Sequence, residues 1–130
     1  MTGRALVVDD DAAMLRTLSD VLQLRGWEVR AVHSGDAAVQ AVREGDFDVV
    51  LMDVKMPGMD GVGAFKAMKS EQPRIRVVLM TAYAEQARLD EAEEHGVAQV
   101  LSKPLNIAAL LALLDQHFSA QRSLLVVDSD

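Results

Sequence analysis

The sequence predicts an α/β fold built on a doubly wound, five-stranded parallel sheet, and three observations carry that prediction. Short runs rich in Val, Leu, Ile and Met recur at 5–8, 29–32, 49–52, 75–80 and 97–101, with the length and composition of buried strands. Segments with apolar residues at helical spacing fill the intervals between them. No interval reads as a tight hairpin, so successive strands run parallel, joined by right-handed crossovers that place helices on both faces.

The elements follow in order. The first strand, Ala5-Leu6-Val7-Val8, ends in Asp9-Asp10-Asp11, and Leu15, Leu18 and Leu22 mark the buried stripe of the first helix, which Gly26 stops. Asp is favoured at helix starts because its carboxylate accepts from unpaired backbone N–H groups, so Asp11, and Asp10 in part, read as caps. The second strand leads into a helix carrying Ala38, Val39 and Val42, with Gly45 as its stop. The third strand, Val49-Val50-Leu51-Met52, meets Asp53 and the exposed stretch from Val54 to Gly61, in which Asp60-Gly61 reads as a turn. Val62, Phe65 and Met68 then form a third helix, and the fourth strand ends near Thr81. A fourth helix, roughly 84–95, is mostly Ala, Glu, Gln and Arg and is expected to be weakly buried, with Asp90-Glu91-Ala92-Glu93-Glu94 as a solvated face. The fifth strand ends near Lys103-Pro104. The last helix, with Ile107, Leu110, Leu111, Leu114 and Phe118 on one stripe, is expected to be well buried.

Composition narrows the function classes. At 130 residues, half of them apolar, the chain suffices for one domain and a single core. Twenty acidic against 13 basic residues give a formal charge of -7, which disfavours direct binding to nucleic acid or anionic membrane and favours proteins or cations as partners. With no cysteine there is neither a disulfide framework nor a zinc-thiolate site. The N-terminus is wrongly flanked for a signal peptide and no apolar run approaches a membrane span, so a soluble, cytoplasmic protein is expected. His33, His95 and His117 share no ligand spacing and read as structural or exposed, and Trp27 as packing at an edge.

In a parallel sheet the C-terminal ends of all strands share one rim. Asp9, Asp10, Asp53, Thr81 and Lys103 are therefore brought together, and for the order 2-1-3-4-5 the crevice lies between the first and third strands, the two that carry the aspartates. Like charges at close range raise one another's pKa unless a cation intervenes. An all-oxygen ligand set with no nearby His or Cys suits Mg²⁺ better than zinc, and Mg²⁺ keeps waters that a phosphate oxygen can replace. A carboxylate so placed can itself act as nucleophile toward a phosphoryl group, with Lys103 and Thr81 as donors to the transferring oxygens.

These residues resemble the receiver domain of two-component response regulators, a CheY-like, flavodoxin-like (βα)5 fold, over about Arg4 to Phe118. The resemblance rests on the acidic pair Asp9-Asp10, the Asp53 to Gly61 segment with Met56-Pro57 and Asp60-Gly61, Thr81-Ala82, and Lys103-Pro104. It implies that Asp53 is the phosphoacceptor and that Asp9, Asp10, Asp53 and the backbone carbonyl of Lys55 hold Mg²⁺. Thr81 and Lys103 would hold the phosphoryl oxygens, with the Lys103-Pro104 bond in the cis form. It implies a sensor histidine kinase or histidine phosphotransfer protein as donor. A downstream protein or domain would dock on the surface of the fourth helix, fifth strand and fifth helix. Turnover would be limited to self-phosphorylation and slow autodephosphorylation, without an external substrate.

Receivers often carry Tyr or Phe three residues before the lysine, and here that position is Val100. Any conformational signal is then expected to run through backbone shifts after Thr81 and through the fourth helix. Lys55 and Tyr83, each two positions beyond a key residue, are expected to flank the pocket mouth and govern water access. A haloacid dehalogenase-like phosphohydrolase is the enzymatic alternative, disfavoured by Ala12-Ala13 after the acidic run and by the short chain. A degenerate receiver acting only as a binding module is disfavoured by the intact site set, and an FMN binder by the lack of a Ser/Thr/Gly-rich loop after the first strand. The receiver is expected to span 1–120. In the tail, 121–130, Leu125-Val126-Val127-Asp128-Ser129-Asp130 repeats Leu6-Val7-Val8-Asp9-Asp10-Asp11 with one change, Ser129 for Asp10. It reads either as the first strand of a truncated second receiver or as an ordinary apolar tail.

Overall fold

The computed structural model describes residues 3–82 and 85–118. Five strand and helix pairs alternate along the chain: β1 (Gly3–Val8), α1 (Ala12–Leu24), β2 (Trp27–Val32), α2 (Gly35–Glu44), β3 (Val49–Asp53), α3 (Gly61–Glu71), β4 (Val77–Thr81), α4 (Gln86–Glu94), β5 (Gln99–Ser102) and α5 (Ile107–His117). The strands form one parallel sheet in the order β2-β1-β3-β4-β5. The predicted fold class and strand order are both observed.

Burial explains why the central strands read as unbroken apolar runs. Every residue of β3 and β4 is buried because helices cover both faces of the sheet. Leu6, Val8, Val50, Met52, Val77 and Leu79 point to one side, against α2 and α3. Ala5, Val7, Val49, Leu51, Val78 and Met80 point to the other, against Leu15, Leu18 and Leu22 of α1 and Leu110 and Leu114 of α5. Each large side chain so buried contributes about 1.5–3 kcal/mol of transfer free energy.

The helix starts are capped as local chemistry requires. Asp11, not Asp10, caps α1, its carboxylate accepting from the backbone N–H groups of Ala13 and Met14. Ser34, Asp60 and Asn106 cap α2, α3 and α5 in the same way. Replacing Asp11 with Ala is expected to destabilise the domain by about 1 kcal/mol, read as a lower midpoint in a urea melt. Gly26 follows α1 at φ +90°, a conformation that a residue with a Cβ adopts only with strain.

Several boundaries and burial assignments differ from the sequence reading. β2 begins at Trp27, two residues early, because register with Gly3 extends the β1 pairing downward, and Trp27 is buried on this edge strand. β4 starts at Val77, while Ile75 is buried in the preceding turn. β5 is Gln99–Ser102 rather than 97–101, since the Val97 N–H still bonds back to Ala92. Along the stripe of α5, Leu110, Leu114 and the following Phe118 are buried but Ile107 and Leu111 only half-buried. α4 is weakly held, as expected, with Ala92 its one buried residue. Its acidic run is not uniformly solvated: Glu91 is half-buried while Asp90, Glu93 and Glu94 are exposed. His33, His95 and His117 are exposed. Among the described residues no helix is long and apolar enough to cross a membrane. The tail repeat lies outside the described residues.

Candidate functional site

Parallel register assembles the rim. Val8 lies beside Met52, Asp53 beside Met80, and Thr81 beside Ser102, so Asp9, Asp53, Thr81 and Lys103 succeed one another across four adjacent strands. Asp9 is fully buried, Asp53 and Thr81 nearly so, and Asp10 is exposed. One carboxylate oxygen from each of Asp9, Asp10 and Asp53 falls within 4.8 Å of the other two. Lys103 reaches them from β5, its Nζ 3.0 Å from Asp9 Oδ2 and 3.5 Å from Asp53 Oδ1. The Lys103–Pro104 peptide is cis, and the Lys103 N–H donates to the Thr81 carbonyl at 2.8 Å.

Two further contacts fix the rim around Asp9 and Asp53. The backbone N–H of Asp11 donates to Asp9 Oδ1 at 3.0 Å, which orients that buried carboxylate. On the other side, the Gly61 N–H donates to the Val54 carbonyl at 2.7 Å. A side-chain carbon at position 61 would lie 2.2 Å from the Asp53 carbonyl oxygen, so only glycine lets α3 start this close to β3.

The electrostatics follow from this crowding. Burial pushes the Asp53 carboxyl above the ordinary range, the Asp9 charge pushes it further and Asp10 adds a little, while Lys103 opposes all three. Burial alone would lower the Lys103 ammonium, but its hydrogen bond to Asp9 and the charge of Asp53 hold it above its usual value, so it stays protonated. The Lys103 ammonium pairs with two of the three clustered carboxylates, Asp9 and Asp53, and burial first, then the charge of Asp9, raises the Asp53 carboxyl. All donors are oxygens, two of the three carboxylates are buried, and the set fits a hard divalent cation such as Mg²⁺.

Most of the residues singled out in the sequence converge here. Lys55 is exposed and, with Met56, Pro57 and Asp60, lines an open pocket of about 390 Å³ in the segment that follows β3. Val100 is half-buried next to Leu79, packed against the core on the α3 side. Pro104 is exposed. Tyr83 lies outside the described residues.

The sequence reading took Asp60-Gly61 as a plain turn and so missed two roles. Asp60 caps α3 through Gly63 and also pairs with Arg88 of α4, which holds its carboxyl below the ordinary range despite partial burial. The placement of Asp60 one residue before the helical pattern of Val62, Phe65 and Met68 was the available signal for the cap. Nothing in local spacing points to Arg88.

Comparison with known proteins agrees with this geometry. Residues 5–115 match the response regulator receiver domain family. The response regulator protein FleR of Pseudomonas aeruginosa is 40% identical over 121 residues, covering 93% of this chain and 26% of that protein. The regulatory protein AtoC of Escherichia coli is 37% identical over 119 residues, covering 92% and 26%. This chain thus spans about a quarter of the length of these curated relatives. Among solved structures, a CheY-like receiver domain protein from Methanospirillum hungatei superposes with a TM-score of 0.83 at 26% identity, covering 86% of this chain and 90% of that one. The response regulator TrrA from Thermotoga maritima, solved in complex with Mg²⁺ and BeF, gives 0.76 at 28% identity, covering 86% and 95%. A phosphohydrolase of the haloacid dehalogenase type is not favoured by any of these likenesses. With a sheet of order 2-1-3-4-5, an acidic cluster at its rim and a family match over nearly its whole length, the chain belongs to the receiver domains of two-component response regulators.

Proposed function

We propose that Asp53 accepts a phosphoryl group from a sensor histidine kinase or a histidine phosphotransfer protein, and that the modified domain presents a changed surface to a downstream protein or domain. The convergence of Asp53 with Asp9, Asp10 and Lys103 on one rim supports this reading. Asp9, Asp10, Asp53 and the Lys55 carbonyl would hold Mg²⁺, which when bound supplies charge neutralisation to the transferring oxygens. An ionised Asp53 oxygen attacks phosphorus, an O–P bond forms, and the bond to the donor's imidazole nitrogen breaks with its electron pair leaving on nitrogen. The Lys103 ammonium and the Thr81 hydroxyl would take phosphoryl oxygens as donors. Water later attacks the same phosphorus and regenerates the carboxylate, so the cycle is self-limited and no external substrate is turned over.

The reading places the receiver at 1–120, in the cytoplasm, with its output surface on α4, β5 and α5 and no direct contact with nucleic acid or membrane. Intact-mass analysis after incubation with acetyl phosphate tests it. One added phosphoryl group, dependent on Mg²⁺, is expected. No addition by the folded protein, with beryllofluoride also failing to bind, would make the chain a degenerate receiver that acts only as a binding module.

Lys55, two residues beyond Asp53 and lining the open pocket with Met56, Pro57 and Asp60, is assigned to limiting water access. Lys55→Ala is expected to shorten the lifetime of the phosphorylated protein several-fold, followed as the decay of the phosphorylated mass after donor removal. An unchanged lifetime would remove Lys55 from that role.

A further inference from the structure

A chain of charges joins α3 to α4. Asp60 Oδ1 accepts from the Gly63 N–H at 2.8 Å as the cap of α3, and the same carboxylate is held from α4 by Arg88 through Nε, at 3.1 Å, and through Nη2. Arg88 Nη1 also meets Glu91 Oε1, and Lys66 Nζ of α3 meets Glu91 Oε2, each at 2.5 Å. Arg88 thus forms a forked pair with one carboxylate and shares a second with Lys66, an arrangement whose planarity and direction a lone surface pair lacks.

Two features give this network more weight than its exposure suggests. α4 buries only Ala92, and its N-cap residue Glu85 makes no side-chain capping bond, so among the described residues this network is a main tie of the helix to α3. At its other end the network stands one residue from Gly61, which abuts the Asp53 carbonyl with no room for a Cβ and bonds to the Val54 carbonyl. An unbroken line of contacts therefore runs from the end of β3 through Gly61 and Asp60 to Arg88.

We propose that Arg88 is a positioning residue that ties α4 to the Asp53 end of β3 through Asp60 and Gly61. By this line, rather than by a rotating ring at Val100, a change at the Asp53 carboxylate reaches α4. The second half of this inference rests on the reading that Asp53 takes a phosphoryl group.

Amide hydrogen exchange of residues 86–94 tests it, with and without Mg²⁺ and beryllofluoride, in the wild type, Arg88→Met and Asp60→Asn. Asn keeps a capping oxygen for α3 while removing the charge that Arg88 grips. Fluorine NMR reports beryllofluoride binding independently. Both variants are expected to bind beryllofluoride, to exchange about tenfold faster in α4 with α1 and α5 unchanged, and to lose most of the wild-type response of α4 to the ligand. Arg88→Lys, which keeps the charge without the fork, should fall between. Beryllofluoride bound in all proteins with α4 exchange and response identical to wild type would overturn the proposal. If the wild type fails to bind beryllofluoride, the acceptor reading fails instead. Basal exchange then decides whether Arg88 holds α4: a tenfold rise sustains it and no change removes it.

Discussion

Asp53→Asn is expected to abolish Mg²⁺-dependent phosphoryl uptake from acetyl phosphate and, in the same protein, to raise the metal-free melting temperature by a few degrees. The loss follows from removing the nucleophilic oxygen anion, for which an amide is no substitute. The gain follows from the electrostatics of the rim. Burial and the neighbouring charge of Asp9 raise the Asp53 carboxyl in the folded state above its unfolded value. For such an acid the favourable contribution is complete below the unfolded pKa and is lost as pH rises through the folded pKa. At neutral pH the ionised carboxylate therefore costs stability, and the neutral amide does not. The advantage of Asn should shrink as pH falls through the folded pKa and vanish below the unfolded one, near 3.9. Thermal melts of both proteins across that range, without metal, check the sign. A less stable Asn variant at neutral pH would mean that the Lys103 pairing outweighs burial and repulsion.

Lys103→Met is expected to act in three directions at once. The metal-free protein should lose about 3 kcal/mol, because Asp9 and Asp53 remain largely buried with no ammonium between them. Mg²⁺ should bind at least about fivefold more tightly, since a competing unit charge at close range is worth about 1 kcal/mol even in water and more near the protein interior. Phosphoryl uptake at saturating Mg²⁺ should nonetheless fall about 10²–10³-fold, as for the loss of one preorganised donor to developing charge. Titration calorimetry with Mg²⁺ and single-turnover uptake separate these effects. Weaker Mg²⁺ binding would show that Lys103 orders the carboxylates more than it competes with the ion.

How much of this was legible in the sequence depends on the physical range of each signal. The sheet was legible because strands covered on both faces must be apolar throughout, as Val49 to Met52 and Val77 to Met80 are. The rim was legible because parallel strands deliver their C-terminal ends to one edge, so Asp9, Asp53, Thr81 and Lys103 could be grouped without knowing any distance. The edges were harder. Trp27 joins β2 by pairing with β1, a long-range event, and the half-burial of Ile107 and Leu111 on α5 depends on tertiary packing that helical spacing alone does not announce. Asp60 carries a cap that local order announces and an ion pair that it does not, since Arg88 lies 28 residues away on another helix. Glu91 sat in a run of acids whose neighbours do face solvent, and only the approach of Lys66 and Arg88 turns it inward.

The most direct test of the central assignment is to locate the phosphoryl group. Borohydride reduces an aspartyl phosphate to homoserine, which peptide mapping by mass spectrometry places in the sequence. After treatment with Mg²⁺ and acetyl phosphate, homoserine is expected at position 53 and at no other aspartate. Homoserine at position 9 or 10, or a phosphoryl group carried on any other side chain with Asp53 intact, would contradict the assignment of Asp53 as the acceptor.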